Sequence, residues 1–169
     1  LFGTGWVLDT FTVAFRIPGM FRRLFGEGAM TAAFLPRFVD EDQTHGREAA
    51  SELFSAVARQ MVRWLGLIVV VVELGLLGAL TLLDLPDRST LLVQLTMVLL
   101  PYSLLICIAA LYCAALNGVH HFLVPALLPI ALNIFWFSGG LLAMLYFASD
   151  ADQVWLIALG IILGGIVQL

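Results

Sequence analysis

The chain has no lysine and few charged residues of any kind. Of its 169 residues 12% are charged, 62% are hydrophobic, and the mean hydropathy is +1.03. A soluble globular domain carries about twice that fraction of charge. The composition therefore excludes an ordinary soluble domain and predicts an integral membrane protein. No basic patch lies outside the membrane-flanking segments, so nucleic acid is not expected as a partner.

The sequence also lacks the motifs that carry most enzyme chemistry. It contains no glycine-rich phosphate loop, no H-E-x-x-H pair and no serine nucleophile elbow. The adjacent His120 and His121 make a poor metal site without other ligands. Cys107 and Cys113 lie six residues apart in one apolar helix, on different faces and too far apart for a disulfide. We therefore expect no catalytic residue, no metal and no cofactor.

Five apolar segments account for most of the chain, and each approaches the roughly 20 residues that a membrane-spanning helix needs. No alternation of period two is present, so backbone groups within lipid would have to be satisfied inside helices. The predicted fold is all-α, a polytopic transmembrane helix bundle with about five spans. The predicted spans are residues 8–36, 47–83, 91–116, 122–148 and 154–169.

Arginine is distributed unequally between the two sides of this predicted bundle. The polar connection at residues 37–46 and the helix start that follows it are rich in arginine, whereas the turns at 84–90 and 149–153 are mainly acidic. Because cytoplasmic loops carry an excess of basic residues, residues 37–50 and 117–121 are predicted to be cytoplasmic. The first segment would then run from outside to inside. We therefore expect at least one earlier span and read the chain as an internal piece of a longer protein.

The first segment is the most informative because it carries charge at membrane depth. A charged side chain at the bilayer centre costs roughly 3 kcal/mol even on mild scales, so pairing, water or function must offset it. At about 100° per residue, most of the polar side chains fall within one arc of about 100°. This polar stripe contains Asp9, Thr12, Arg16, Arg23, Glu27 and Thr31.

Arg22 falls outside the polar stripe in an ideal helix. The pair Pro18–Gly19 lies between Arg16 and Arg22, and it can kink or unwind the helix there. Such a break would swing Arg22 inward, but the residue order alone leaves both orientations open.

Three arginines flanked by carboxylates predict a binding site for an anionic group. Guanidinium groups stay charged and bind phosphate in a bidentate manner. Arg16, Arg22 and Arg23 are therefore candidate substrate-binding residues, and Asp9 and Glu27 are candidates for gating or ion pairing. The alternative is a snorkelling cluster or a purely structural ion-pair network. Arg16 lies nearest to mid-membrane and could not snorkel easily.

Three further polar residues lie within the apolar segments. Glu73 is deep in the second segment, where an ionisable group is functional by default, although a protonated or paired carboxyl is as good an interpretation. Asn117 and Asn133 are expected to cap helices or to form hydrogen bonds between them.

Two runs of residues follow a recognisable pattern. The first comprises Phe2-Gly3, Asp9-Thr10-Phe11, Val13 to Pro18, Arg22 to Ala29 and Ala33 to Pro36. The second comprises Pro101-Tyr102, Leu104 to Ile106, Leu116-Asn117, Phe122, Pro125-Ala126, Pro129 and Leu132-Asn133. The first run resembles the second transmembrane helix of the MurJ/MviN lipid II flippases, a family of the multidrug/oligosaccharidyl-lipid/polysaccharide exporter superfamily. The second run is similar to the fourth and fifth helices of that family and the turn between them.

The resemblance implies a fold of fourteen helices in two six-helix lobes plus two more helices, of which this chain would supply helices two to six. It implies that cavity arginines bind the diphosphate of an undecaprenyl-linked peptidoglycan precursor, which alternating access carries across the bacterial cytoplasmic membrane. Arg22 and Arg23 match the arginine pair of the family, and Asp9 and Glu27 match its flanking carboxylates. The expected partners are this precursor and the bilayer, for a monomer that could associate with the cell-wall synthesis machinery.

The chain departs from the family pattern in places. The turn at residues 117–121 replaces one that usually carries Trp, Asn and Arg, and Glu73 has no clear counterpart.

The alternatives are another exporter of the superfamily, either a polysaccharide-lipid flippase or a cation-coupled drug antiporter, and a non-transporting cell-wall scaffold. A drug antiporter would favour acidic and aromatic cavity residues over arginine. An enzyme acting on polyprenyl diphosphate is more distant, because no catalytic group is visible.

Overall fold

The structure, a computed structural model, describes residues 5–27 and 29–169, with the side chains of all these residues except 25–31. Within those ranges the chain is almost wholly helical and contains no strand, so the predicted all-α fold is confirmed. The elements are α1 (Trp6–Phe21), a π-helical segment (Arg22–Glu27), α2 (Ala29–His45), α3 (Arg47–Leu82), α4 (Asp87–Gly118), α5 (Leu123–Tyr146) and α6 (Asp150–Val167).

Four of the described helices, α3 to α6, are long and apolar enough to cross a membrane. Their outer surfaces carry large apolar side chains, such as Leu74 on α3 and Phe137 on α5, which are 64% and 73% exposed. Contiguous apolar surface of this kind is unfavourable in water and favourable in lipid. The prediction of a polytopic membrane bundle is therefore confirmed.

The charged first segment runs beside α4. Near its start, Phe15 stacks on Tyr102 with ring centroids 6.4 Å apart. Further along, Leu35 lies close enough to Gly118 that a Cβ there would be 3.1 Å from its Cδ1. From residue 102 to residue 118, α4 advances about 24 Å at 1.5 Å per residue. These contacts place residues 117–121 at the same end of the bundle as the middle of α2.

The first segment differs from expectation in being two α-helices joined by a π-helical turn. The irregular turn begins four residues after Pro18, where the N–H of Arg22 is shared between the carbonyls of Pro18 and Gly19. Pro18 has no N–H to donate to the carbonyl of Ala14, so the regular hydrogen-bond ladder is already interrupted there. π-Helical turns of this kind are a recognised cause of helix bending.

The connection at residues 37–46 is helical up to His45, although its polar composition favours a loop. Phe34 and Phe38 are buried, and Phe34 packs edge-on against Phe54 of α3 at a centroid distance of 6.3 Å. His45 Nδ1 lies 3.1 Å from a carboxylate oxygen of Glu41, one turn earlier. Packing of one apolar face against α3 therefore extends α2 beyond the stretch that composition alone would assign to a helix.

The core lies around α4, which contacts all the other helices. Its side chains Leu95, Leu99 and Cys107 are fully buried. By contrast, α5 is mostly exposed and packs chiefly on α6. A Cβ at Gly160 of α6 would lie 2.9 Å from the carbonyl oxygen of Phe135. Small residues let membrane helices approach this closely, so α5 is held by α6 and stands away from α4.

Tyr102 at the centre of the core provides a test of this packing. Its side chain is 1% exposed, a Cβ on Gly165 would lie 2.6 Å from its ring, and its hydroxyl has no hydrogen-bond partner among the described residues. Because an unsatisfied buried hydroxyl costs about 1–3 kcal/mol, we expect Tyr102→Phe to leave the thermal unfolding temperature unchanged or to raise it. The measurement is a thermal scan of the full-length protein in detergent, with the exposed Tyr112→Phe as control. A clear loss of stability in Tyr102→Phe alone would contradict the prediction.

Candidate functional site

A cleft of about 510 Å³ lies beside the π-helical turn, between that turn, α4, α5 and the end of α6. The cleft exists because α5 packs chiefly against α6, which leaves space between α5 and α4. The lining residues are Arg22, Ile106, Ala109, Ala110, Cys113, Ala114, Asn117, Pro125, Leu128, Pro129, Leu132, Asn133 and Gln168.

Arg22 is the one charged residue among the described residues that line the cleft. Its side chain is half-buried, whereas that of its neighbour Arg23 is exposed. The sequence left open whether Arg22 points inward. In the structure the π-helical turn begins at Arg22, and its side chain lines the cleft. A guanidinium at this position is a donor for an anionic group in a largely apolar pocket.

Neutral polar groups share the cleft with Arg22. Asn117 of α4 and Asn133 of α5 both line the cleft and are exposed to it. Pro129 has no N–H for the carbonyl of Pro125, so this carbonyl lacks its usual partner within the helix, and both prolines line the cleft. These groups can form hydrogen bonds with a polar ligand that Arg22 binds by charge.

Gln168 is a member of the site that sequence reasoning missed. Its side chain is 8% exposed, and its Nε2 donates a hydrogen bond of 2.8 Å to the carbonyl oxygen of Leu128. This bond ties the end of α6 to the part of α5 that forms the cleft wall. The one signal in the sequence was that Gln168, a polar residue, follows directly after an apolar run.

The predicted polar stripe lies elsewhere. Asp9, Thr12 and Arg16 are exposed on the face of α1 opposite the buried Phe11 and Ala14. Arg23 is also exposed and is not among the residues that line the cleft. The side chain of Glu27 lies outside the described residues. Of the five predicted site residues, the structure thus brings Arg22 into the cleft and leaves Asp9, Arg16 and Arg23 on the outer surface of the described bundle.

The two cysteines differ in their surroundings. Both are free thiols; Cys107 is buried in the core, whereas Cys113 is partly exposed and lines the cleft. In the part of the chain that the structure describes, no group of three or more His, Cys, Asp or Glu residues is placed to hold a metal ion.

The fold and the cleft together define a polytopic membrane protein with a cationic cleft inside its helix bundle, an arrangement suited to an anionic ligand at membrane depth. The chain belongs to the lipid II flippase MurJ family, whose model matches residues 1–169. The family name denotes a transporter rather than an enzyme, and the resemblance seen in the sequence is confirmed.

Curated relatives agree with this assignment along the whole chain. A probable lipid II flippase MurJ of Rhizobium tropici is 34% identical over 173 residues, which cover 99% of this chain and 32% of the relative. The probable lipid II flippase MurJ of Treponema pallidum is 32% identical, and the match covers 99% of this chain and 32% of the relative. A lipid II flippase MurJ of Burkholderia cenocepacia is 29% identical, and the match covers 99% of this chain and 33% of the relative. The chain spans about a third of the length of these relatives.

Proposed function

We propose that the full-length protein containing this chain translocates lipid II, the undecaprenyl-diphosphate-linked peptidoglycan precursor, across the bacterial cytoplasmic membrane. The observation that carries the proposal is the placement of Arg22 in a cleft among apolar helices whose other described lining residues are uncharged. Membership of the MurJ family supports the identity of the ligand.

In this proposal Arg22 binds the diphosphate of the lipid. Its guanidinium offers two parallel N–H donors to phosphate oxygens, and Asn117 and Asn133 can add neutral hydrogen bonds from two different helices. A cleft of about 510 Å³ is of the size that encloses a small ligand. The diphosphate and the groups next to it fit such a volume, while the remaining head group would be accommodated by the rest of the full-length protein.

The exposed stripe has a separate part in the proposal. Asp9, Arg16 and Arg23 on a lipid-facing surface would each cost about 3 kcal/mol, so we place this face against a water-filled pathway shared with the rest of the full-length protein. Arg16 and Arg23 would bind the anionic head group along that pathway. Asp9 and Glu27 would serve as gating or ion-pair partners that compensate the arginines when no substrate is bound. Alternating access of the pathway then moves the head group while the tail stays in the bilayer.

We further propose that residues 37–50 and 117–121 face the cytoplasm. The contact of Gly118 with Leu35, Phe38 and Val39 supports a common side, and the arginine content of that end favours the cytoplasm. The working unit is proposed to be a monomer that can associate with the cell-wall synthesis machinery.

Complementation tests the function directly. The full-length protein should restore growth to bacteria depleted of their own essential lipid II flippase. Absence of rescue by a protein that is demonstrably expressed and inserted in the membrane would contradict the proposal and would favour the scaffold or another exporter.

Asp9 provides a prediction within the same assay. Asp9→Ala removes the carboxylate that is proposed to compensate the arginines of the pathway when no substrate is bound, and the positive charges that remain there repel one another. We expect Asp9→Ala to lose rescue and Asp9→Glu to keep most of it. The control is Asp84→Ala, which changes an exposed carboxylate in the turn between α3 and α4. Normal rescue by Asp9→Ala, with membrane levels verified by immunoblot, would exclude the proposed role.

A further inference from the structure

The Arg22 cleft ends at a layer of large aromatic side chains. Its lining extends from Asn117, beside the turn at residues 117–121, to Ile106 on α4 and Asn133 on α5. On each helix the layer lies one turn further from that turn, and α1 adds a third ring at the same level. We call these residues the aromatic layer: Phe15, Tyr102 and Trp136.

The rings of the aromatic layer contact one another across three helices. Phe15 stacks on Tyr102 with ring centroids 6.4 Å apart, and it lies tilted against Trp136 at a centroid distance of 5.8 Å. The backbone of α6 also reaches this level, because a Cβ at Gly165 would lie 2.6 Å from the Tyr102 ring. Four helices therefore meet where the cleft ends.

Trp136 is the loosely held member of the aromatic layer. Its side chain is 42% exposed, whereas that of Tyr102 is 1% exposed. Helix α5 packs chiefly on α6, and among the described residues its backbone makes no close approach to α1. Side chains alone thus connect α1 with α5 at this level. The contact between Phe15 and Trp136 can break by a rotamer change of the indole while both helices stay in place.

The indole also has space to turn into. A second cavity of about 840 Å³ lies along α5, and Trp136 is among its lining residues. Asn133 lines both this cavity and the Arg22 cleft. Together the two follow α5 from Pro125 to Met144, about 28 Å at 1.5 Å per residue, which is close to the hydrocarbon thickness of about 30 Å. Trp136 therefore stands where the two cavities meet.

We propose that Trp136 is a gate of the Arg22 cleft. With the indole against Phe15 the gate is closed, and the cleft opens only toward residues 117–121. When the indole turns into the second cavity, the aromatic layer opens and a diphosphate on Arg22 can leave toward the opposite end of the bundle. The gate rests on the proposed function and deepens it, since alternating access needs a closure on each side of the bound group.

Labelling of Cys113 from each side of the membrane tests the gate. Cys113 lines the cleft, so its alkylation by a membrane-impermeant maleimide reports access to the cleft. The full-length protein is labelled in spheroplasts and in inside-out vesicles, and mass spectrometry of the Cys113 peptide gives the rate on each face. We expect the wild type to react only from the face that carries residues 117–121. Trp136→Ala should raise the rate from the opposite face by about tenfold or more, because thiol reactions follow access.

Three further variants make the result specific. Phe15→Leu withdraws the ring against which the indole rests, so it should open the layer as Trp136→Ala does. Trp136→Phe keeps a ring in the layer and should keep the labelling one-sided. Phe137→Ala enlarges the second cavity from the next position of α5 but leaves the layer intact, and its labelling should also stay one-sided.

Binding shows that the opened variant is folded. Trp136 is not among the described residues that line the Arg22 cleft. Trp136→Ala should therefore bind a polyprenyl diphosphate with nearly the affinity of the wild type, although Cys113 has become accessible from both faces.

Three results would overturn the gate. One is labelling of the wild type at similar rates from both faces. Another is one-sided labelling of both Trp136→Ala and Phe15→Leu. The third is two-sided labelling of Phe137→Ala to the same extent, which would assign the effect to general loosening of α5. The labelling needs no ligand, so it is independent of rescue, and absence of rescue by the wild type would contradict the proposed function instead.

Discussion

Arg22→Ala is expected to abolish rescue by the full-length protein and to weaken binding of a polyprenyl diphosphate by more than about 100-fold. Each hydrogen bond to a charged group contributes about 1.5–3 kcal/mol, and a bidentate guanidinium makes two of them. The loss is large because Arg22 is the one cation among the described residues that line the cleft, so none of these neighbours can replace it. Arg22→Lys keeps the charge but not the planar fork, and an intermediate loss is expected.

Cys113 offers a direct readout of this binding. It lines the same cleft as Arg22, whereas Cys107 is fully buried. A bound polyprenyl diphosphate should therefore slow alkylation of Cys113 by N-ethylmaleimide in the wild type, and this protection should be lost in Arg22→Ala. Arg88→Ala, at an exposed position in the first turn of α4, is the control and should bind and rescue normally. Full protection of Cys113 in Arg22→Ala would show that the diphosphate is held elsewhere, with the exposed Arg16 and Arg23 as the next candidates.

The second large effect is expected at the contact between α5 and α6. Gly160→Leu places a side chain where even a Cβ would be 2.9 Å from the carbonyl oxygen of Phe135 and 3.4 Å from the Cα of Gly139. Backbone atoms cannot yield as a flexible side chain can, so the helices must separate. Overpacking of this kind costs about 1–3 kcal/mol, and here it would also displace the α5 wall of the cleft. We expect a lower thermal unfolding temperature of the full-length protein in detergent, together with reduced rescue.

Gly140→Leu is the matched control for this substitution. Gly140 lies on α5 next to Gly139, but a Cβ there meets nothing within 4 Å. Leucine also favours the helix over glycine by nearly 1 kcal/mol, so this variant should be neutral or slightly more stable. Equal destabilisation by both substitutions would indicate that glycine at these positions serves backbone flexibility rather than close helix packing.

Much of the fold could be predicted because the bilayer imposes strong rules on a sequence. A run of about 20 apolar residues must be helical in lipid, so the later four segments agree with α3 to α6 to within a few residues at most ends. The stretch 37–46 could not be predicted, because its helix depends on Phe34 and Phe38 packing against α3. Local composition carries no information about a partner helix that is distant in sequence.

The candidate site was only partly predictable for a related reason. An ideal helical wheel assigns Asp9, Arg16 and Arg23 to one face, and the structure does leave all three exposed. The wheel cannot represent a π-helical turn, in which the register of side chains changes at Arg22. It also cannot show that Asn117 and Gln168, from two other helices, converge on the same cleft.

By itself, the sequence determined that this protein is a polytopic helical membrane protein and carried the resemblance to its family, and it predicted arginine at membrane depth. Both conclusions rest on local properties, hydropathy and residue order, that need no knowledge of neighbouring helices. The tertiary structure alone decided which arginine enters the cleft. One cause is the change in helix geometry after Pro18, at the end of α1. The other is the close packing of α5 on the glycines of α6, which keeps α5 away from α4. Both depend on contacts between segments, which the sequence of a single segment does not show.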